Sequence, residues 1–95
     1  MRIAVVGAGY IGAVLSAVLA DKGFSVTAID VNSKLIEIYN KGWSPFKEPG
    51  LEELIKKVVS EGNLTASTDI SRISDADVIL ITVGTPLSKD GSADK

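Results

Sequence analysis

One stretch decides the fold: Met1-Arg2-Ile3-Ala4-Val5-Val6-Gly7-Ala8-Gly9-Tyr10-Ile11-Gly12. Its apolar, β-branched run from Ile3 to Val6 is typical of a strand that is covered on both faces in a parallel sheet. The glycines that follow have the spacing Gly-x-Gly-x-x-Gly. In a dinucleotide-binding turn, Gly7 permits the tight bend, Gly9 lets the backbone approach a pyrophosphate, and Gly12 lets the next helix pack closely. The stretch therefore predicts a strand, a phosphate-binding turn and a helix.

The residues after the turn predict a buried helix. Amide groups at its start, aided by the helix dipole, would hold the phosphates. Lys22 and Gly23 are expected to end it, with a cation in the last turn and a glycine at the cap. We expect the whole helix to be buried because it is apolar on nearly every side, through Ala13, Val14, Leu15, Ala17, Val18, Leu19 and Ala20.

A second strand is predicted from Phe24 to Ile29, and it ends at Asp30. A dinucleotide-binding fold has an acid about twenty residues after the glycines, and its carboxylate bonds the adenosine ribose hydroxyls. Asp30 lies at about this spacing. A carboxylate there would repel a ribose phosphate, and Val31-Asn32 offers no arginine to receive one. The sequence therefore favours NAD over NADP. The competing interpretation is a βαβ unit with a purely structural role.

Composition excludes several classes of protein. The chain has 95 residues, 45% of them hydrophobic, and 10 basic against 12 acidic residues for a net charge of −2, so nothing indicates nucleic acid or an anionic membrane as partner. It contains no cysteine and no histidine, which excludes disulfides, thiol chemistry and the usual zinc ligand sets. We assign no metal site and no catalytic residue. A cytoplasmic location is expected, and the apolar N-terminal run is too short for a signal peptide or a membrane span.

Two further helices are predicted in the middle of the chain. Ser33 is the expected N-cap of the first, which continues until Asn40-Lys41-Gly42. The second helix is expected from Leu51 to Ser60, with Pro49 in its first turn and Gly62 after its end.

The segment between these helices, residues 43–50, is irregular. We interpret Glu48 as a carboxylate that complements a helix N-terminus. Trp43 and Phe46 are expected to cover the flank of the domain.

The remaining strands set the topology. Leu64–Ser67 predicts a short third strand, Thr68-Asp69 a cap for a brief helical piece through Ser74, and Ala76–Val83 the strongest strand. Helix-linked strands in this order imply right-handed crossovers and a parallel sheet. We therefore predict an α/β fold, a Rossmann-like doubly wound parallel sheet of partial extent, with strand order 3-2-1-4 and helices on both faces.

In a doubly wound sheet, ligands bind at the switch point, here between the first and fourth strands. The residues Gly84-Thr85-Pro86 are then expected beside Gly7–Gly12, where their backbone and the Thr85 hydroxyl could meet the dinucleotide. The alternative is a simple turn after a strand.

Taken together, the motifs resemble the UDP-glucose/GDP-mannose dehydrogenase family over the whole chain. The combination of Glu-Pro-Gly-Leu-Glu with Val-Gly-Thr-Pro is the most specific part. The motifs that carry the resemblance are the turn Gly7–Gly12, the acid Asp30, the segment Ser44-Pro45-Phe46-Lys47-Glu48-Pro49-Gly50-Leu51-Glu52-Glu53-Leu54, the strand 76–81 with Val83-Gly84-Thr85-Pro86, and Asp90-Gly91-Ser92-Ala93-Asp94.

The resemblance implies the NAD-binding N-terminal domain of an enzyme that oxidises the C6 alcohol of a nucleotide sugar to a carboxylate, with two NAD used in succession. Val83, Gly84 and Pro86 would line one wall of the cofactor site. The direct cofactor contacts that it implies are Gly7, Gly9, Tyr10, Ile11, Gly12, Asp30 and Thr85.

One position departs from the family pattern. Five residues past the acid, the family often has a lysine or arginine that touches the cofactor, and this chain has Leu35 there. Lys34 precedes it and is a candidate replacement at the ribose end of the site. An ordinary solvated helix lysine is the competing interpretation.

The resemblance also implies what this chain lacks. The family's catalytic cysteine, which forms a thiohemiacetal, and its assisting lysine, asparagine and aspartate belong to later parts of the enzyme. We therefore expect residues 1–86 to form the NAD-binding domain and 87–95 a polar, mobile tail. The chain is expected to bind NAD without catalysing, as part of a longer enzyme that takes a UDP- or GDP-sugar and forms a homodimer or higher oligomer.

Two alternatives stay open. One is another NAD-dependent dehydrogenase of the 6-phosphogluconate or hydroxyacyl type, against which the segment Glu48-Pro49-Gly50 argues. The other is a noncatalytic NAD-sensing module, like the regulatory domains of ion channels.

Overall fold

The computed structural model describes residues 1–82, which form a four-stranded sheet with helical connections. All strand pairs are parallel, and their order is β3-β2-β1-β4, so the predicted α/β topology is confirmed. The elements in chain order are β1 (Arg2–Val6), α1 (Tyr10–Asp21), β2 (Ser25–Ile29), α2 (Ser33–Asn40), α3 (Leu51–Ser60), β3 (Leu64–Ser67), a 3-10 helix (Ile70–Asp75) and β4 (Val78–Ile81).

The hydrophobic core lies on one face of the sheet. Side chains alternate between faces along a strand, and Ile3 and Val5 of β1 share their face with the aligned Val26 and Ala28 of β2. These four side chains cluster with buried residues from all three α-helices, which therefore cover this face. The 3-10 helix lies over the other face, where it lines a shallow cavity with Ala4, Thr27 and Thr65. Helical structure thus occurs on both faces, as predicted.

Helix α1 is less buried than expected. Its buried positions form one stripe, which includes Gly12, Ala13 and Ala17. Ile11 is 64% exposed and Val18 39% exposed, so the prediction of burial on every side is wrong. The reason is geometric: the sheet and α3 contact one side of α1, and its outer side faces away from both.

The helix starts differ from prediction in two places. Asn32, and not Ser33, caps α2, because the Asn32 side chain accepts a hydrogen bond from the Leu35 N–H at 3.1 Å. Gly50 is the N-cap of α3 with φ of +83°, a left-handed conformation that favours glycine, so Pro49 precedes the helix instead of lying in its first turn. The bounds of α3 are those predicted.

The last described elements follow the predicted order. Strand β3 has the predicted bounds, and Asp69 caps the 3-10 helix by accepting a hydrogen bond from the Ser71 N–H. Strand β4 is shorter than the predicted run Ala76–Val83, because its ladder to β1 extends from Val78 to Ile81. Residues 83–95, which include the expected polar tail, lie outside the described residues. Within residues 1–82, no helix is long and apolar enough to cross a membrane.

Candidate dinucleotide site

The glycine-rich turn lies at the carboxyl edge of the sheet, between β1 and α1. Val6 at the end of β1 is aligned with Ile29 of β2 and with Ile81 of β4, so all three strands end at this edge. The Gly7 N–H donates to the Ile29 carbonyl at 2.7 Å. Because ligands of doubly wound sheets bind outside the carboxyl ends of the strands, this edge is the candidate site.

Gly7 and Gly12 face the protein interior. Gly7 has φ of +100°, and a Cβ atom there would collide with the Thr82 carbonyl oxygen. A Cβ atom on Gly12 would collide with the Gly7 carbonyl oxygen and would lie 2.8 Å from the Thr82 Oγ1. The structure therefore confirms the tight bend predicted at Gly7 and the close packing predicted at Gly12. It also identifies the partners, which are the turn itself and Thr82.

Thr82 is a supporting residue that sequence reasoning missed. Its hydroxyl donates to the Gly7 carbonyl at 2.8 Å, and its N–H donates to the Val6 carbonyl at 2.8 Å. The hydroxyl therefore joins the end of β4 to the turn after β1. In the sequence, Thr82 is one residue in a long apolar run and does not stand out. Its role follows from its position one residue past the β4 ladder, which the structure shows.

Gly9, Tyr10 and Ile11 form the opposite, outer side of the turn. Among residues 1–82, no atom beyond Gly9 and its two chain neighbours lies within 4 Å of a Cβ atom built on Gly9. Gly9 is the N-cap of α1, and among residues 1–82 no side chain caps this helix and no acidic side chain lies in its first turn. The first N–H groups of a helix have no intrahelical acceptor and carry the positive end of the helix dipole. This side of the turn therefore offers open space and unpaired donors to an anion.

Asp30 is tied to the turn as well as to its own loop. One carboxylate oxygen accepts a hydrogen bond from the Ala8 N–H at 2.8 Å, and the other accepts from the Asn32 N–H at 2.9 Å. An ionised carboxylate has about four acceptor positions, so these two bonds leave capacity for ribose hydroxyls. The acid is thus held in one orientation at the edge of the site. The sequence predicted its place but not its bond to Ala8.

Tyr39 of α2 bonds Ala8, the residue whose N–H donates to Asp30. Its hydroxyl donates to the Ala8 carbonyl at 2.6 Å, and the side chain is only 1% exposed. Burial and, secondly, the negative charge of Asp30 raise the pKa of Tyr39 above its ordinary value. The hydroxyl therefore keeps its proton at neutral pH and remains a donor. In the sequence, Tyr39 is one of several apolar residues at helical spacing in α2, which gives no sign of this bond.

The ribose end of the site contains the position that departs from the family pattern. Leu35 is half-buried and packs against the core, so it is a structural residue of α2. Lys34 lies in the first turn of α2 with an exposed side chain. A cofactor contact through Lys34 stays a prediction.

The irregular segment 43–50 packs against the start of α1. The Tyr10 hydroxyl donates to a Glu48 carboxylate oxygen at 2.8 Å, and the rings of Tyr10 and Phe46 meet edge to face at 5.7 Å. The hydrogen bond to Glu48 is the largest cause that raises the pKa of Tyr10. The Glu48 side chain thus bonds the first residue of α1, and its role as a carboxylate that complements a helix N-terminus stays a prediction. Phe46 covers the flank, whereas Trp43 is 54% exposed, against prediction.

Four predicted site residues lie outside residues 1–82, namely Val83, Gly84, Thr85 and Pro86. Strand β4, which leads to them, is adjacent to β1 as the topology requires.

A parallel sheet of order 3-2-1-4, a glycine-rich turn at its carboxyl edge and an acid after the second strand define a dinucleotide-binding domain of the Rossmann class. Comparison with known proteins narrows this class. The model of the UDP-glucose/GDP-mannose dehydrogenase family, NAD binding domain, matches residues 1–95. The chain therefore belongs to this family, as the motifs predicted, and the cofactor of the domain is NAD.

Individual relatives support the assignment. The GDP-mannose 6-dehydrogenase of Pseudomonas aeruginosa is 43% identical over 95 residues, which cover 99% of this chain and 22% of that protein. A UDP-glucose 6-dehydrogenase of Bacillus subtilis is 44% identical over 94 residues, which cover 98% of this chain and 21% of that protein. The chain thus spans about a fifth of the length of these oxidoreductases.

Solved structures agree. The crystal structure of a ternary complex of GDP-mannose dehydrogenase from Pseudomonas aeruginosa superposes with a TM-score of 0.91 at 43% identity, covering 97% of this chain and 21% of that one. A UDP-glucose dehydrogenase from the archaeon Pyrobaculum islandicum gives 0.88 at 36% identity, covering 98% and 22%.

Proposed function

We propose that this chain forms the NAD site of an oxidoreductase that converts the C6 alcohol of a UDP- or GDP-sugar to a uronate. The observation that carries the proposal is the two-sided turn: packed against Thr82 on its inner side, open at Gly9 on its outer side, with Asp30 bonded beside it. The match to the family's NAD-binding domain over residues 1–95 supports the same conclusion.

The residues of the turn fit a dinucleotide. The space beside Gly9 admits a pyrophosphate, and the N–H groups of Tyr10 and Ile11 at the start of α1 supply donors and a favourable dipole. Gly7 and Gly12 shape this cradle from within. The Asp30 carboxylate receives the adenosine ribose hydroxyls and repels a ribose phosphate, which favours NAD over NADP.

Further contacts complete the proposed site. Lys34 would meet the ribose end, and the family resemblance assigns further contacts to residues outside 1–82, where Thr85 would contribute its hydroxyl and backbone and Val83, Gly84 and Pro86 would line the same wall. Bound NAD would supply the oxidant: each NAD takes up two electrons, and the oxidation of an alcohol to a carboxylate therefore consumes two NAD in succession. The chain's own residues hold and orient it.

The proposal assigns the chemical step to residues outside this chain. The chain contains no cysteine, whereas the resemblance implies a catalytic cysteine. The nucleotide sugar would be bound mainly by the remaining four fifths of an enzyme as long as the relatives. By itself, the chain binds NAD and does not oxidise a sugar nucleotide.

Isothermal titration of NAD and NADP into the chain tests the proposal. We expect weak binding that favours NAD, and we expect Asp30→Ala to weaken NAD binding about tenfold or more, because bonds to a charged acceptor are lost. Asp21→Ala is the matched control. It also removes one carboxylate, but Asp21 pairs with Lys57 at the far end of α1.

Two results would contradict the proposal. One is a chain that is folded by circular dichroism but binds neither cofactor, or binds NADP as well as NAD. The other is an increase of NADH absorbance when UDP-glucose or GDP-mannose is added, which would refute the assignment of catalysis to other residues.

A further inference from the structure

The peptide groups of Ala8 are held by two side chains. The Tyr39 hydroxyl donates to the Ala8 carbonyl at 2.6 Å, and the Asp30 carboxylate accepts from the Ala8 N–H at 2.8 Å. We refer to Tyr39 and Asp30 as the Ala8 clamp. Ala8 itself is completely buried and lies in neither β1 nor α1, so no regular ladder pairs its backbone groups.

The clamp is required by the backbone of the turn. A buried peptide group without a partner loses its hydration and gains nothing in return, so such groups are nearly always bonded. Ala8 joins Gly7, which is fixed by Ile29 and Thr82, to Gly9, where the open outer side begins. Tyr39 holds the carbonyl of the Ala8–Gly9 peptide, and the orientation of this peptide sets where Gly9 and the first N–H groups of α1 point.

The clamp also orients the acid. Asp30 is half-buried, and its two oxygens accept from the N–H groups of Ala8 and Asn32. The Ala8 bond fixes the carboxylate relative to the turn and not only to its own loop. The Ala8 N–H lies in the Gly7–Ala8 peptide, which is joined at the Ala8 Cα to the peptide that Tyr39 holds. If the backbone rotates at Ala8, the bond to Asp30 is lost and the carboxylate is free to turn.

We propose that Tyr39 is a positioning residue for cofactor selectivity: by holding the Ala8 carbonyl, it keeps the Asp30 carboxylate aimed at the adenosine ribose. This inference rests on the proposed NAD site. Tyr39 is 1% exposed, so it does not touch the cofactor itself and acts through Ala8. A tyrosine hydroxyl is protonated at neutral pH even at its ordinary pKa of about 10, and burial raises the pKa of Tyr39 further, so the hydroxyl donates.

The ratio of NADP to NAD dissociation constants separates this role from a general structural one. A variant that merely unfolds part of the population raises both constants by the same factor, so their ratio stays constant. Tyr39→Phe removes one hydroxyl, leaves the Ala8 carbonyl buried without a donor and releases the carboxylate. We expect NAD binding to weaken about tenfold and the ratio to fall about fivefold.

Val58→Ala is the control for lost stability. Val58 is completely buried in α3 and belongs to the core cluster. Truncating it destabilises the chain by opening a cavity. It leaves the Ala8 clamp intact. The ratio of its NADP and NAD dissociation constants should equal that of the wild type. Val58→Ala and Tyr39→Phe are compared at temperatures at which their folded fractions are equal.

Amide hydrogen exchange at Ala8 tests the clamp without cofactor. In the wild-type chain, the Ala8 amide should exchange about as slowly as that of Val5, which lies in β1 and is aligned with residues of both neighbouring strands. In Tyr39→Phe, the Ala8 amide should exchange at least tenfold faster relative to Val5. The exchange rate of the Ala8 amide in the wild type tests the clamp by itself, so the test remains valid even when Tyr39→Phe does not fold.

The outcomes separate the two proposals. If the wild type prefers NAD over NADP and Tyr39→Phe has the same preference, the role of Tyr39 is overturned and the NAD site is supported. A folded wild-type chain that binds neither cofactor overturns both. An Ala8 amide that exchanges in the wild type like an exposed loop overturns the clamp, whatever the cofactor results.

Discussion

Gly12 and Gly9 belong to the same turn, but a methyl group added to each would meet different surroundings. On Gly12 it would collide with the Gly7 carbonyl and the Thr82 side chain, whereas on Gly9 it would meet no residue of 1–82 within 4 Å beyond the two chain neighbours. The inner side of the turn is therefore constrained by packing, and the outer side is left open. One short motif thus separates the requirements of folding from those of binding.

The two tyrosines repeat this contrast. Tyr39 bonds the Ala8 carbonyl from the buried side at 2.6 Å, and Tyr10 bonds Glu48 from the exposed side at 2.8 Å. Their bond lengths are similar, but Tyr39 is 1% exposed and Tyr10 is 44% exposed. Water can replace the bond of Tyr10 and cannot reach that of Tyr39. The two hydroxyls should therefore differ in their effect on stability.

The largest expected effect comes from Gly12→Ala on the inner side. Alanine would ordinarily favour a helix by about 1 kcal/mol, but here its methyl group overlaps backbone atoms that cannot move independently. We expect the free energy of unfolding to fall by about 3 kcal/mol or more. Urea unfolding followed by circular dichroism measures it.

Gly9→Ala is the matched control on the outer side. Gly9 has φ of −69°, which alanine adopts without strain, so only the N-cap preference for glycine over alanine is lost and the free energy of unfolding should fall by about 1 kcal/mol or less. Titration with NAD should nevertheless show weaker binding, since the methyl group occupies the space proposed for the pyrophosphate. Equal destabilisation by both alanines would show that the two sides do not differ.

An intermediate effect is expected from Tyr39→Phe on stability. Losing the donor to the buried Ala8 carbonyl should lower the free energy of unfolding by about 1–3 kcal/mol at neutral pH. The pKa of Tyr39 is raised in the folded chain, so the unfolded tyrosine ionises first as pH rises past about 10. The stabilisation by the hydroxyl is therefore complete below pH 10 and is lost above it.

Urea unfolding of the wild type and Tyr39→Phe, at neutral pH and at several pH values above 10, measures this dependence. The difference between the two proteins should shrink as pH rises. A difference that is constant with pH would mean that the hydroxyl does not titrate differently in the folded and unfolded states.

The smallest effect is expected from Tyr10→Phe on the exposed side. The phenylalanine ring keeps the edge-to-face contact with Phe46 and loses only the exposed bond to Glu48. The midpoint of thermal unfolding should stay within the scatter of replicate measurements. A loss as large as that of Tyr39→Phe would show that segment 43–50 is a structural support of α1.

Much of the fold was predictable because its signals are local. The apolar strand before Gly7 and the cap residues around Leu51–Ser60 each specify their own segment. Errors arose where partners outside a segment decide the outcome. Val18 is apolar yet 39% exposed, because nothing in the sequence of α1 tells which of its sides meets the sheet.

The candidate site divides in the same way. The glycine spacing and Asp30 were recognised from sequence because they follow strands in a known order. Tyr39 and Thr82 were not, since they are 31 and 75 positions distant from the carbonyls they bond. No helical or strand periodicity reports such a pair.

By itself, the sequence determined the parallel α/β class, the dinucleotide turn, the acid that favours NAD and the resemblance to a dehydrogenase family. Each of these depends on residue types at fixed, short spacings. Only the tertiary structure decided which side of the turn is packed and which is open, and which side chains hold Ala8. The physical reason is that hydrogen bonding and burial depend on distance in space, and the ends of β1, β2 and β4 meet only when the sheet assembles.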